Sequence, residues 1–108
     1  MKTTELVRKQ IAENSILLYM KGTPQFPMCG FSGSVVNVLK KYDHEYSFVN
    51  VLEHERIMQA LPEVSDWPTF PQLFINGELV GGADIVGQLD KAGELKPLLE
   101  SANVAAES

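Results

Sequence analysis

Cysteine occurs once in these 108 residues. A solitary thiol cannot close an internal disulfide, so an intramolecular dithiol cycle is excluded, and the usage fits a reducing compartment. Positive charge is also scarce. Nine Lys and Arg against fourteen Asp and Glu leave a formal charge of −5, which argues against the phosphate backbone of nucleic acids as a main partner. No apolar run approaches the length of a membrane span, so no membrane association is expected. The start, Met1-Lys2-Thr3-Thr4-Glu5, has no apolar signal core and carries an acid early; no export signal is expected, and the cytoplasm is the expected location. The two histidines, His44 and His54, have no metal-ligand spacing with each other or with the cysteine, so surface positions are expected for both.

What is present is enough for one folded domain. Apolar residues make up 44% of the chain and charged residues 21%, ordinary values for a globular protein with a single core. Thr3 or Thr4 can cap a first helix whose apolar face is Leu6, Val7 and Ile11. Ile16 to Met20 is short, apolar and bounded by turn residues, which predicts a buried strand. Ser32 or Ser34 can cap a second helix reaching about Tyr42, with Val35, Val38 and Leu39 on its buried side. Tyr46 to Val51 alternates as a second strand, and His54 to Leu61 predicts a short helix ended by Pro62. Asn76-Gly77 between Gln72–Ile75 and Glu78–Val80 is a strong hairpin signal. Asp84 can cap a helix through Leu89, and Glu94 to Ser101 forms the last. The first two strands, joined through a helix, are expected to be parallel and the hairpin pair antiparallel. The reading is an α/β domain with a four-stranded mixed sheet and helices on both faces.

Three segments carry chemistry. Cys29 lies where the first strand gives way to a helix start, and unpaired N–H groups and the helix dipole favour its thiolate. Three residues on stands Ser32, whose hydroxyl can donate to a thiolate but cannot resolve a mixed disulfide, so any redox cycle must borrow a second thiol such as glutathione. Lys21, just after the first strand, either holds an anion and lowers the thiol pKa or is solvated, the usual meaning of a single lysine. Trp67-Pro68-Thr69-Phe70-Pro71 precedes a strand. Judged on its own residues it is a Pro-rich turn, and a trans Phe70–Pro71 bond is the base expectation. Gly81-Gly82-Ala83-Asp84 opens a helix, either as a tight turn with an Asp cap or as a backbone site for a carboxylate.

Taken together, Lys21-Gly22, Cys29-Gly30-Phe31-Ser32, Trp67 to Gln72, Asn76-Gly77-Glu78 and Gly81-Gly82-x-Asp84 resemble the monothiol glutaredoxins of the Cys-Gly-Phe-Ser type. The resemblance runs from about Glu5 to Ser101. It places a glutaredoxin domain over residues 1–101 and a flexible tail over 102–108. It implies the thioredoxin fold and a cis Pro71. It also implies that Cys29 is both redox thiol and cluster ligand, with Phe31 beside it as an apolar contact. Lys21 would lie near the glycine carboxylate of glutathione, Thr69 and Phe70 would pair with its cysteinyl backbone, and Gly82, Ala83 and Asp84 would hold its γ-glutamyl end. Two departures stand out. Many relatives carry Cys at the position of Ala83 and Arg at the position of Met58; Arg56 is the candidate replacement for that lost carboxylate contact.

A [2Fe–2S] cluster commonly takes four thiolates. One chain offers one, so a cluster needs two chains and two glutathiones, which predicts a holo homodimer and an apo monomer. The resulting expectation is a carrier that takes a cluster from an iron–sulfur scaffold to recipient apo-proteins in cluster assembly and iron homeostasis. The resemblance also implies complexes with a BolA-like protein. The alternative is a glutathione-dependent thiol–disulfide oxidoreductase working through Cys29 alone. The stretch Thr23-Pro24-Gln25-Phe26-Pro27 favours the carrier, because in this family such an insertion accompanies weak oxidoreductase activity.

Overall fold

The computed structural model describes the backbone of residues 2–107 and the side chains of residues 2–102. Five helices and four strands follow in the order expected: α1 (Thr3–Glu13), β1 (Ile16–Met20), α2 (Gly30–Lys40), β2 (Ser47–Asn50), α3 (Glu55–Ser65), β3 (Gln72–Ile75), β4 (Glu78–Gly81), α4 (Ala83–Lys91) and α5 (Leu95–Glu107). A 3-10 turn over Val51–Glu53 leads into α3. The strands lie in the order β2-β1-β3-β4. β1 runs parallel to β2 and antiparallel to β3, and β3 runs antiparallel to β4. This is the thioredoxin-type sheet. Among the described residues no helix is long and apolar enough to cross a membrane.

Two apolar layers hold the sheet between the helices. On one face, Ile16, Leu18, Met20, Leu73 and Ile75 meet Val35, Val36 and Leu39 of α2, Val86 of α4, and Leu95 and Leu99 of α5. On the other, Leu17, Tyr19 and Phe74 meet Val7 and Ile11 of α1 and Ile57 and Leu61 of α3. The alternation along β1 supplies both layers, which explains why all five of its residues are buried.

The register decides where function can sit. Tyr19 pairs with Gln72, and Leu73 with Gly81. The end of β1, the start of β3 and the end of β4 therefore lie side by side at one end of the sheet. Lys21, Pro71 and Gly82 follow or precede these ends directly.

The structure corrects several local expectations. α1 begins at Thr3 after Lys2, with no side-chain cap. α2 is capped by Cys29 rather than by Ser32 or Ser34. β2 is shorter than Tyr46 to Val51 because Val51 turns into the core. α3 runs through Pro62 to Ser65; the buried Leu61 and the partly buried Val64 continue its apolar face, and packing outweighs the bond that proline cannot make. Asp66 ends it in the left-handed region, its N–H donating to the Pro62 carbonyl at 2.9 Å. α4 is capped by Gly82, which leaves Asp84 inside the first turn. α5 is described from Leu95 to Glu107, with Ala102 buried; the reading of 102–108 as a flexible tail is not tested by it, and Ser108 lies outside the described residues. His54 is exposed as expected, but His44 is half-buried, and its Nδ1 is covered without a partner.

Candidate thiol and peptide-binding site

The end of β1 is shaped by a loop that returns on itself. The Lys21 carbonyl accepts from the Met28 N–H at 2.8 Å, and Thr23 and Phe26 bond each other through both backbone groups. Gly22 makes this closure possible. Its φ is +95°, and a Cβ there would lie 2.5 Å from the Phe26 carbonyl oxygen, so no L side chain fits. Asn50, at the end of β2, anchors the loop by accepting from the Gly22 N–H at 2.9 Å and the Leu52 N–H at 3.1 Å. The loop delivers Cys29 to the start of α2 with Phe26, Met28 and Phe31 exposed around it, at 76%, 67% and 65%.

Cys29 is both cap and reactive group. Its Sγ accepts from the Ser32 N–H at 3.4 Å and lies 3.6 Å from the Ser32 Oγ. That hydroxyl is completely buried and accepts from the Lys21 N–H at 3.0 Å. With its acceptor side engaged, its own proton is free to point at the sulfur. Burial is the largest single influence on the thiol and pushes its pKa up. The Ser32 N–H, the Ser32 hydroxyl, the Phe31 N–H and the Lys21 ammonium together outweigh it, and the pKa lies below the ordinary thiol value.

Beside the thiol lies a cavity of about 620 Å³. Lys21, Cys29 and Phe31 line it from the β1–α2 side, Thr69, Phe70 and Pro71 from the middle, and Gly82, Ala83 and Asp84 from the start of α4. The Phe70–Pro71 bond is cis, against the expectation from the local residues and in agreement with the resemblance. Gln72, completely buried, fixes this segment: its Nε2 donates to the carbonyls of Trp67 at 2.8 Å and Thr69 at 3.1 Å. At α4 the first intrahelical bond is Val86 N–H to Gly82 C=O at 3.0 Å. The N–H groups before it have no partner within the helix. Gly82 is a close approach: a Cβ would sit 3.2 Å from the Pro71 carbonyl oxygen and 3.3 Å from the Trp67 Nε1. That indole N–H is covered and unpaired.

One expected residue is missing from the wall. Arg56 is exposed and does not line the cavity; Met58 and Pro62 of α3 do, with Trp67 and Ile85. Residues two apart on a helix point in different directions, and Arg56 does not join the wall that Met58 lines. The supporting role of Asn50 had no sequence signal, and that of Gln72 none beyond its place at the end of the Trp67 to Gln72 motif. Among the described residues, no group of three or more His, Cys, Asp and Glu side chains is placed to hold a metal, so a metal at Cys29 needs ligands from outside the chain.

A thiol of lowered pKa at the start of a helix, beside a cis proline at the head of β3, marks a protein of the thioredoxin fold. The comparisons narrow the class. The glutaredoxin family model matches residues 16–80. Glutaredoxin 4 of Pasteurella multocida (strain Pm70) is 49% identical over 98% of this chain and 95% of its own length. A probable monothiol glutaredoxin 2 of Rickettsia typhi is 50% identical over 92% of this chain and 89% of that protein. The solution structure of reduced apo GrxS14 from poplar superposes with a TM-score of 0.81 at 44% identity, covering 96% of this chain and 99% of the other. The chain belongs to the glutaredoxin family, among its monothiol members.

Proposed function

We propose that this protein carries a [2Fe–2S] cluster as cargo, held between two copies by Cys29 of each and by two molecules of glutathione. The observation that supports it is the half-buried Cys29 thiol, its pKa lowered, beside a cavity of about 620 Å³. Glutathione fits the residues present. The free N–H groups of α4 suit its γ-glutamyl carboxylate and Asp84 its ammonium. The glycine-sized cradle at Gly82 leaves the backbone approachable, and the peptide edge at Thr69 and Phe70 can pair with an extended backbone. Lys21 supplies a positive charge near the sulfurs. Bound there, glutathione supplies a second thiolate next to Cys29. With one cysteine per chain, four thiolates require two chains and two glutathiones, which makes the dimer conditional on the cluster.

Ligands borrowed from solution can leave again, which suits transfer from a scaffold to recipient proteins. The exposed Phe26, Met28 and Phe31 around the thiol favour docking of partners such as a BolA-like protein, and the lone thiol favours a reducing cytoplasm. The lowered thiol pKa supports a second reading, glutathione-dependent reduction of mixed disulfides through Cys29.

Anaerobic reconstitution with iron, sulfide and glutathione tests the first reading. The expected product absorbs in the visible range, has twice the apo mass, and contains one glutathione per chain. A monomeric holo-protein, or reconstitution that needs no glutathione, refutes the ligand count. Turnover of a glutathionylated substrate at the rate of dithiol glutaredoxins would promote the second reading.

A further inference from the structure

Among the described residues the cavity is lined by one cation and one acid, Lys21 and Asp84. They stand at opposite ends. Lys21 follows β1 and Asp84 follows β4, with β3 between, so the two strand ends are separated by two strand spacings, about 10 Å. The α4 end presents free N–H groups beside a carboxylate and suits a zwitterionic amino-acid head. The rest of the wall is different. From α3 it receives Met58 and Pro62, a thioether and a pyrrolidine ring, neither of which donates a hydrogen bond. Arg56 points elsewhere and is exposed.

Charge counting gives the consequence. The Lys21 ammonium is already one of the groups that favour the Cys29 thiolate. With that thiolate formed, the wall carries two negative charges and one positive. A ligand with one carboxylate at the α4 start and a second at its other end brings in an anion for which no further cation is provided. A bidentate guanidinium would supply it; a methionine does not.

We infer that Met58 sets the ligand preference of this cavity, so that it takes γ-glutamyl thiols whose far end is uncharged, such as an amide, nearly as well as those ending in a carboxylate. The inference rests on reading the cavity as a glutathione site. Met58 here is a specificity-determining residue; it removes the penalty that an arginine-lined wall imposes on a neutral end.

The test uses S-methylglutathione and its C-terminal amide as redox-inert probes. Trp67, the single tryptophan, lines the cavity and reports binding by fluorescence. For the natural chain, dissociation constants for acid and amide are expected to differ by less than about fivefold, since one shared, partly solvated cation contributes little. Met58→Arg is expected to tighten the acid about tenfold, the scale of one charge-assisted contact, and to leave the amide unchanged. Met58→Leu is expected to keep the natural ratio. A natural ratio of fivefold or more in favour of the acid overturns the inference, as does a ratio that Met58→Arg leaves unchanged. If Met58→Arg does not fold, the natural ratio decides alone. Failure of both probes to bind at millimolar concentration overturns the glutathione reading itself, an outcome distinct from a strong preference for the acid.

Discussion

Two helix starts face the same cavity, and they spend their N–H groups differently. At α2 the sulfur of Cys29 takes the Ser32 N–H and feels the Phe31 N–H. At α4 the cap is Gly82, with no side-chain bond. The first start is occupied by the protein's own sulfur; the second has no side-chain partner and, in the proposed reading, takes the carboxylate of glutathione. Both begin where a strand has run out, and both are held on the same face of the sheet by Val35, Val36 and Val86. Fold alone therefore does not separate them. The difference is one side chain at one cap: at Cys29 a sulfur takes the helix-start N–H groups, and at Gly82 no side chain does, which suits the proposed roles of nucleophile and carboxylate receptor.

The strongest way to break the comparison is to remove the sulfur. Cys29→Ser is expected to abolish cluster assembly completely, read as iron and sulfide content after reconstitution. Serine is itself a good cap, so stability should move by no more than about 1 kcal/mol, read by thermal or denaturant unfolding. Retained iron in this variant would place the metal elsewhere. The complementary change fills the other start. Gly82→Val puts methyl groups against the Pro71 carbonyl and the Trp67 indole. Overpacking of this kind costs about 1–3 kcal/mol of stability, and because Gly82 lines the cavity the added side chain also blocks its α4 end, so glutathione affinity should fall on the order of tenfold. The rate at which Cys29 reacts with iodoacetamide should stay within about twofold of the natural chain, because the thiol's own donors at α2 are untouched. Equal losses at both starts would mean that they are not separable.

The sequence made some of this visible and hid the rest for physical reasons. Ile16 to Met20 was legible to the residue because a five-residue apolar run between turn residues has few other uses. Asn76-Gly77 was legible because both residues adopt positive φ, 54° and 81°, which few other pairs tolerate. The caps were misread. Ser32 has the chemistry of a cap, yet the helix already starts at Gly30 with Cys29 as its cap, so Ser32 lies inside the first turn and its hydroxyl turns inward to accept from the Lys21 N–H. Pro62 was read as a stop, although Leu61 and Val64 continue the buried stripe around it. The α3 wall was legible only in part. Spacing along a helix separates position 56 from 58, but says nothing about which one meets a cavity built from other elements.

A smaller effect sharpens how the α2 sulfur is tuned. Ser32→Ala keeps the backbone N–H and removes the hydroxyl. The thiol should then titrate at higher pH than in the natural chain, read from the pH dependence of iodoacetamide alkylation. The Lys21 N–H loses its acceptor in a buried place, so about 1–3 kcal/mol of stability should go with it. The sign of the linkage follows. The folded thiol pKa is lowered, so its contribution to stability is complete above the unfolded value and is lost as pH falls through the folded one. In Ser32→Ala the folded value lies closer to the unfolded one, so that loss should be smaller and complete at higher pH. An unchanged alkylation profile would assign the tuning to the backbone N–H groups and Lys21 alone.

The smallest effect belongs to the far ends of the same two helices. Asp90 of α4 accepts from the Lys41 ammonium and the Tyr42 hydroxyl at the end of α2. These bonds, Lys41 first, lower its pKa from the ordinary 3.8. A lowered acid stabilises the fold fully above its unfolded pKa and ceases to do so as pH falls through the folded value. The tie should therefore be intact at neutral pH and vanish only in acid, below about pH 4. Asp90→Asn should flatten that acid limb of the stability profile while leaving glutathione affinity at pH 7 within about twofold, since an exposed ion pair contributes little and the apolar core sets the spacing of the helices. If instead Asp90→Asn weakens glutathione binding as much as Gly82→Val does, the two starts are aligned by their distant tie rather than by Val35, Val36 and Val86. The contrast between a spent and an open helix start would then depend on both ends of each helix.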